Sequence, residues 1–135
     1  MTQLIANSDG ASRGNPGAAA LGVIIKNPAG EIVLEVSRCL GRLTNNQAEY
    51  AAVIVALEEA HKLGADELLL KADSELVVKQ LSGQYRVKNA GLAPLYAKVK
   101  ALEVKFKSVK YRYVPREHNR EADALANRAL DGKIN

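Results

Sequence analysis

The chain has no tryptophan, and only one cysteine, one methionine and one phenylalanine among its 135 residues. A lone thiol, Cys39, permits no intramolecular disulfide, so a reducing cytoplasmic setting is the plain expectation. Cys39 itself reads as a small buried hydrophobe near the end of a strand. With only two histidines beside it, no His/Cys cluster of the kind that holds zinc can be drawn. Long apolar runs are also missing: the longest, such as AAALGVII, fall far short of a bilayer's thickness. The opening residues MTQLIANSDG lack the basic-then-apolar order of an export signal, so neither export nor a membrane is indicated. Charge of one sign is scarce too. Nineteen basic against fifteen acidic residues leave +4, a mild excess that hints at an anionic partner and does not establish one.

What is present is enough apolar residue, 47% of the chain, to fill one core and hardly two, so a single domain over residues 1–135 and a monomer are expected. No repeat, low-complexity segment or linker interrupts it. Residues 3–9 form a strand candidate closed by Asp9-Gly10, and a turn-rich stretch follows to Gly17. Residues 19–27 and 31–40 alternate, with Leu21, Val23 and Ile25, then Ile32, Leu34 and Val36, on one side. The turn Asn27-Pro28-Ala29-Gly30 between them predicts a hairpin and thus a three-stranded meander.

From Thr44 the period becomes helical, with Thr44, Asn45 or Asn46 as cap and Ala52, Val53, Ala56 and Ala60 on one face up to Lys62-Leu63-Gly64. Residues 67–72 read as a buried strand and Glu75 to about Leu81 as a helix. Residues 91–105 form another helix, 107–114 a strand and 119–131 a last helix with Ala122, Leu125, Ala126, Ala129 and Leu130 inward. The order predicts an α/β fold: a mixed five-stranded sheet, three antiparallel strands then parallel additions, with helices on both faces. Ligands of such sheets sit at the carboxyl ends of strands, where Asp9 and Asp73 fall.

Four carboxylates stand where a core would not place them. Asp9 and Asp73 end apolar strand patterns, Glu49 lies on the core-facing stripe of its helix, and Asp123 borders the inward face of the last one. Each has an ordinary reading alone: Asp9 a turn residue, Asp73 an N-cap, Glu49 and Asp123 partners of a helix dipole. Together, at one end of one sheet, they must raise their pKa values or share cations. An all-oxygen donor set favours Mg²⁺ or Mn²⁺, and two such ions suit in-line phosphoryl displacement.

The segments Asp9-Gly10-Ala11-Ser12-Arg13-Gly14-Asn15-Pro16-Gly17, Thr44-Asn45-Asn46-Gln47-Ala48-Glu49, Asp73-Ser74 and His118-Asn119-Arg120-Glu121-Ala122-Asp123-Ala124-Leu125-Ala126 match a known pattern in order and spacing. Over nearly its whole length the chain resembles ribonuclease H of type 1. The resemblance implies a ribonuclease H-like fold and a metal-dependent endonuclease that cuts the RNA strand of an RNA/DNA hybrid, leaving 3′-hydroxyl and 5′-phosphate ends. By position it implies Asp9, Glu49, Asp73 and Asp123 as ligands of two Mg²⁺ or Mn²⁺ ions. Asn15 and Thr44 would hold a DNA phosphate, with Asn45, Asn46 and Glu49 facing the RNA minor groove, and Gly10, Ser12 and Ser74 touching substrate.

His118 is a candidate for proton transfer or product release, with Arg116 and Glu117 competing for that task. Gly10, Gly14 and Gly17 would let backbone approach a sugar-phosphate strand, or simply make a tight turn. His61, beside Lys62, reads as a solvated partner of a helix end. The compact region Gly83–Gly91 lacks the tryptophan-bearing basic protrusion of some relatives, and Glu75 stands where relatives often have glutamine. Double-stranded RNA as substrate, or a non-catalytic hybrid-binding module, are the competing readings.

Overall fold

The computed structural model describes residues 2–133. Three strands come first, β1 (Gln3–Gly14), β2 (Gly17–Lys26) and β3 (Ile32–Leu43), followed by helix α1 (Asn45–Lys62). Then come β4 (Glu67–Ala72), α2 (Glu75–Leu81), α3 (Ala93–Glu103), β5 (Ser108–Tyr113), a 3₁₀ turn at Arg116–His118 and α4 (Arg120–Lys133). The sheet order is β3-β2-β1-β4-β5; β1–β2 and β2–β3 pair antiparallel, β1–β4 and β4–β5 parallel. This is the expected mixed five-stranded sheet. Helices follow each parallel crossover because parallel neighbours cannot be joined by a tight turn.

Strand β2 is buried continuously from Ala19 to Ile25, since both its faces are covered, by α1 on one side and α4 on the other. Helix α1 is itself buried nearly all round, from Ala52 through Leu57, because α3 packs on its far side. Its one large polar group inside the core, the Tyr50 hydroxyl, donates to Gln80 Oε1 at 2.7 Å, so no donor is left unpaired there. Lys100 closes the end of α2, donating to the Leu81 carbonyl at 2.8 Å.

Two glycines set how near the helices come. A Cβ at Gly10 would fall 2.2 Å from the carbonyl carbon of Ala48, and one at Gly22 would fall 2.1 Å from the carbonyl oxygen of Ala122. Asp9 pairs with Gly22 and Gly10 with Leu21, so successive β1 residues present opposite faces, one to α1 and one to α4.

Three expectations change. Strand β1 does not stop at Asp9: its parallel pairing ends at Ser8–Ala72, but antiparallel pairing with β2 runs on to Gly14–Gly17. Of the Gly-rich stretch predicted as turn, residues 10–14 are strand, because the ladder with β2 carries them, and only Asn15-Pro16 turns. Ile32, expected inward with Leu34 and Val36, is 51% exposed, because the β2–β3 register shifts between Ile25 and Lys26. Cys39 is exposed on β3, its Sγ 3.1 Å from the Ala129 carbonyl of α4.

Gly22→Ala would force α4 away from β2. Overpacking of this kind costs about 1–3 kcal/mol, so thermal unfolding is expected to show a lower Tm, while Gly30→Ala, where a Cβ meets nothing within 4 Å but φ is +87°, tests strain without crowding.

Candidate functional site

The cap of α1 decides where Glu49 lies. Thr44 is the N-cap: its Oγ1 accepts from Gln47 N at 3.2 Å while Gln47 Oε1 accepts from Thr44 N at 3.0 Å, a reciprocal capping box. Glu49 therefore falls in the second turn, outside the region where the helix dipole rewards an acid, and its side chain turns to β1. Its Oε1 accepts from Gly10 N at 2.5 Å. Asp73 likewise loses its plain reading. Ser74 caps α2, accepting from Val77 N at 3.3 Å, and leaves the Asp73 carboxylate unused by the helix.

Ligand oxygens of Asp9, Glu49 and Asp73 all lie within 4.8 Å of one another. Asp9 is only 5% exposed. Burial first, then the charges of Glu49, Asp73 and Asp123, push its carboxyl up to about 10; burial chiefly pushes Glu49 up to about 8, against the lowering effect of its bond from Gly10. Acids so placed hold protons at neutral pH unless a cation replaces them. The cluster of hard oxygen donors fits a divalent metal, with no nitrogen or sulfur ligand in it.

Asp123 is not part of that tight trio. It lies beside Asp9 in the same cleft, with Oδ1 receiving Asn127 Nδ2 at 3.2 Å and Arg116 Nη2 at 3.7 Å. The cleft, ≈ 480 Å³, is lined by the four acids with Gly10, Ser12, Asn45, Asn46, Arg13 and Arg116 among others. The Ser12 hydroxyl donates inward to the Leu43 carbonyl at 2.8 Å. Asn15 and Thr44 line a separate hollow of ≈ 230 Å³ with Asn46, Gln47, Asn89 and Leu92, and Asn15 Oδ1 accepts from Asn45 N at 3.0 Å, tying the β1–β2 turn to α1. His118 ends the exposed 3₁₀ turn and lines neither hollow; Arg116 does reach the carboxylates. His61 is exposed in the last turn of α1, edge-on to Phe106 at 6.0 Å.

Sequence reasoning passed over two residues. Gly22, in mid-strand, admits α4 against β2 directly beside Asp9; a glycine inside a strand pattern was the available signal. Asn119, 1% exposed, accepts from Asn7 Nδ2 at 3.0 Å and donates to the Ser8 carbonyl at 2.9 Å, while its own carbonyl accepts from Asp123 N at 3.1 Å. One side chain thus fixes the start of α4 to the residues just before Asp9. A buried asparagine carries no periodic signature in sequence.

A model of the family described as reverse transcriptase-like matches residues 7–129. Ribonuclease HI of Halobacterium salinarum is 47% identical over 123 residues, covering 91% of this chain and 62% of that protein. The bifunctional protein Rv2228c of Mycobacterium tuberculosis is 44% identical over 130 residues, 96% of this chain but 36% of that protein. The chain thus spans about a third of the mycobacterial relative and under two thirds of the archaeal one. Among solved structures, RNase H1 from Halobacterium salinarum superposes with a TM-score of 0.94 at 45% identity, covering 96% of this chain and 98% of that one. LC11-RNase H1 in complex with RNA/DNA hybrid superposes with 0.93 at 37% identity, covering 98% and 99%.

With Asp9 raised to about 10 and its unfolded value near 4, the unfolded chain ionises first, so metal-free stability falls as pH climbs through that window. Asp9→Asn removes the penalty. In EDTA at pH 8 it is expected to raise Tm by about 5 °C, on the order of 1–2 kcal/mol, with a smaller gain at pH 5; Mg²⁺ should raise the Tm of the parent chain and leave the variant nearly unmoved. Differential scanning fluorimetry across pH reads both.

Proposed function

Because the chain belongs to the ribonuclease H type 1 family, we propose that it hydrolyses the RNA strand of RNA/DNA hybrids, leaving 5′-phosphate and 3′-hydroxyl ends. The observation that carries this reading is the trio Asp9, Glu49 and Asp73, packed within 4.8 Å at the floor of a cleft rimmed by short polar side chains. Short groups such as Asn45, Asn46 and Ser12 suit the wide, shallow minor groove of a hybrid, where 2′-hydroxyls mark the strand to be cut, while Ser74, outside the cleft lining, would act there only beside its cap of α2. Asn15 and Thr44, in the second hollow, would receive a phosphate of the DNA strand.

Asp9, Glu49, Asp73 and Asp123 would hold two Mg²⁺ or Mn²⁺ ions. Bound there, divalent cations supply positive charge that acidifies water and offsets charge growing on the leaving oxygen. The chain's own contribution is placement. Gly10 N–H fixes one oxygen of Glu49, and Asn119 fixes α4 against β1. Water adds to phosphorus, the P–O3′ bond breaks, and the displaced oxygen takes a proton to become the 3′-hydroxyl.

For the fifth participant, the guanidinium of Arg116 is favoured over His118, because it lies 3.7 Å from Asp123 and lines the cleft. Arginine stays charged and cannot act as a base; it would steady Asp123 or a substrate phosphate. A single domain is proposed on the core cluster that, among the described residues, joins β1, β2, β4 and the first three helices, and a cytoplasmic place on the exposed thiol of Cys39, which has no disulfide partner.

Labelled RNA/DNA hybrid, double-stranded RNA and double-stranded DNA, each incubated with Mg²⁺ and with Mn²⁺, test the assignment. Cleavage of the hybrid's RNA strand is expected, with Asp9→Asn or Asp73→Asn cutting at least about 10³-fold more slowly while still binding hybrid. Cleavage of double-stranded RNA in preference would move the assignment to that substrate, and metal-independent inertness on all three would leave a binding module. Arg116→Ala is expected to lower kcat about tenfold and His118→Ala less than about twofold, in line with one lost charge-assisted contact; the reverse ranking returns the role to His118.

A further inference from the structure

Helix α4 packs on β1, β2 and β3, and the same face of β4 and β5 is left to solvent. Leu68, Leu70 and Ala72 turn inward, so Leu69 and Lys71 turn out. In register beside them stand Lys110 and Arg112 of β5 and Ile5 and Asn7 of β1. One row across the sheet therefore reads Asn7, Lys71, Arg112, and the next Ile5, Leu69, Lys110. Lys71 directly faces Arg112, an arrangement that costs stability in a ladder. Among the described residues neither cation joins an ion pair, nor do Lys110 and Arg120. The nearby acid Glu121 is taken by Lys26 at 2.8 Å; Glu67 stands at the far end of the face and Glu117 on the 3₁₀ turn.

The row leads to the cleft. Asn7 bonds to Asn119, and the next residue, Arg120, shares a groove of ≈ 440 Å³ with Arg116, Glu117 and Asp123. Ile5 and Leu69 are half-buried and stand outside the core cluster, an apolar floor between the cations. A duplex would offer that floor only phosphates. A single strand offers phosphates to the cations and bases to the floor, with the flat guanidinium of Arg112 able to stack on a base.

We propose that this face of β4 and β5 seats single-stranded RNA that continues from the strand lying in the cleft. The proposal rests on the nuclease reading for its geometry, so its test needs a readout that does not require cutting. Three short hybrids are compared at fixed salt: blunt, with a single-stranded RNA tail on the RNA strand (5′ or 3′, as separate substrates), and with a DNA tail on the DNA strand. For the parent chain, one of the RNA tails is expected to lower KM about fivefold, the scale of a stacked base with a phosphate contact. Lys71→Ala/Arg112→Ala should abolish that gain while leaving kcat and the blunt KM within about twofold, and its Tm should be no lower than the parent's, since a repulsive pair is removed.

Fluorescence anisotropy with the same oligonucleotides in EDTA should give the same pattern of affinities. A parent chain that gains nothing from either RNA tail in either assay overturns the proposal, as does a double variant that weakens blunt and tailed hybrids equally, or a DNA tail that helps as much as RNA. If no hybrid is cut but anisotropy still shows the tail-dependent gain, the seat stands and the nuclease reading alone falls.

Discussion

Three carboxylates held with their oxygens within 4.8 Å of one another are a repulsive arrangement, and much of this fold serves to impose it. Helices press on opposite faces of the sheet where glycine leaves no Cβ in the way, α1 at Gly10 of β1 and α4 at Gly22 of the neighbouring β2. Because packed interiors yield little, the acids cannot relax apart without opening one of those contacts. The strain is answered by proton uptake, with Asp9 and Glu49 shifted far upward, or by a cation. Stability elsewhere in the sheet makes this local cost tolerable, as is common where a centre must be preformed.

Much of the architecture was legible because it rests on periodicity. The strand at residues 19–27, the helix after Thr44 and the small-residue face of the last helix are local signals that the fold bears out, although packing buries both faces of the strand and nearly the whole circumference of the first helix. Strand ends were less legible. Asp9-Gly10 reads as a stop, yet β1 changes partners there instead of stopping, and which neighbour continues a ladder is decided by the sheet and not by the strand's own residues. Ile32 and Cys39 failed for a related reason: they sit on the edge strand β3, where a register shift and a missing outer neighbour expose residues that their type would bury.

At the site, residue type and order pointed to the four acids, and the structure brings them to one cleft. Their inequality was not legible. Asp123 differs from the other three because Asn127, one turn on, and Arg116, from the preceding loop, both engage it. Such second-rank contacts depend on where α4 docks. Gly22 and Asn119 control that docking, and neither belongs to a periodic pattern.

The acids come from β1, α1, the end of β4 and α4, and so from nearly the full length of the chain, while α4 closes back on strands made first. Contacts of such wide sequence separation carry a large loop-closure entropy and slow the folding of the whole. The hairpins and α1 can form from local contacts, but the wall that bears Asp123 is missing until α4 is free to dock. The fourth acid therefore shares the cleft with the other three only once α4 has docked on β1, β2 and β3.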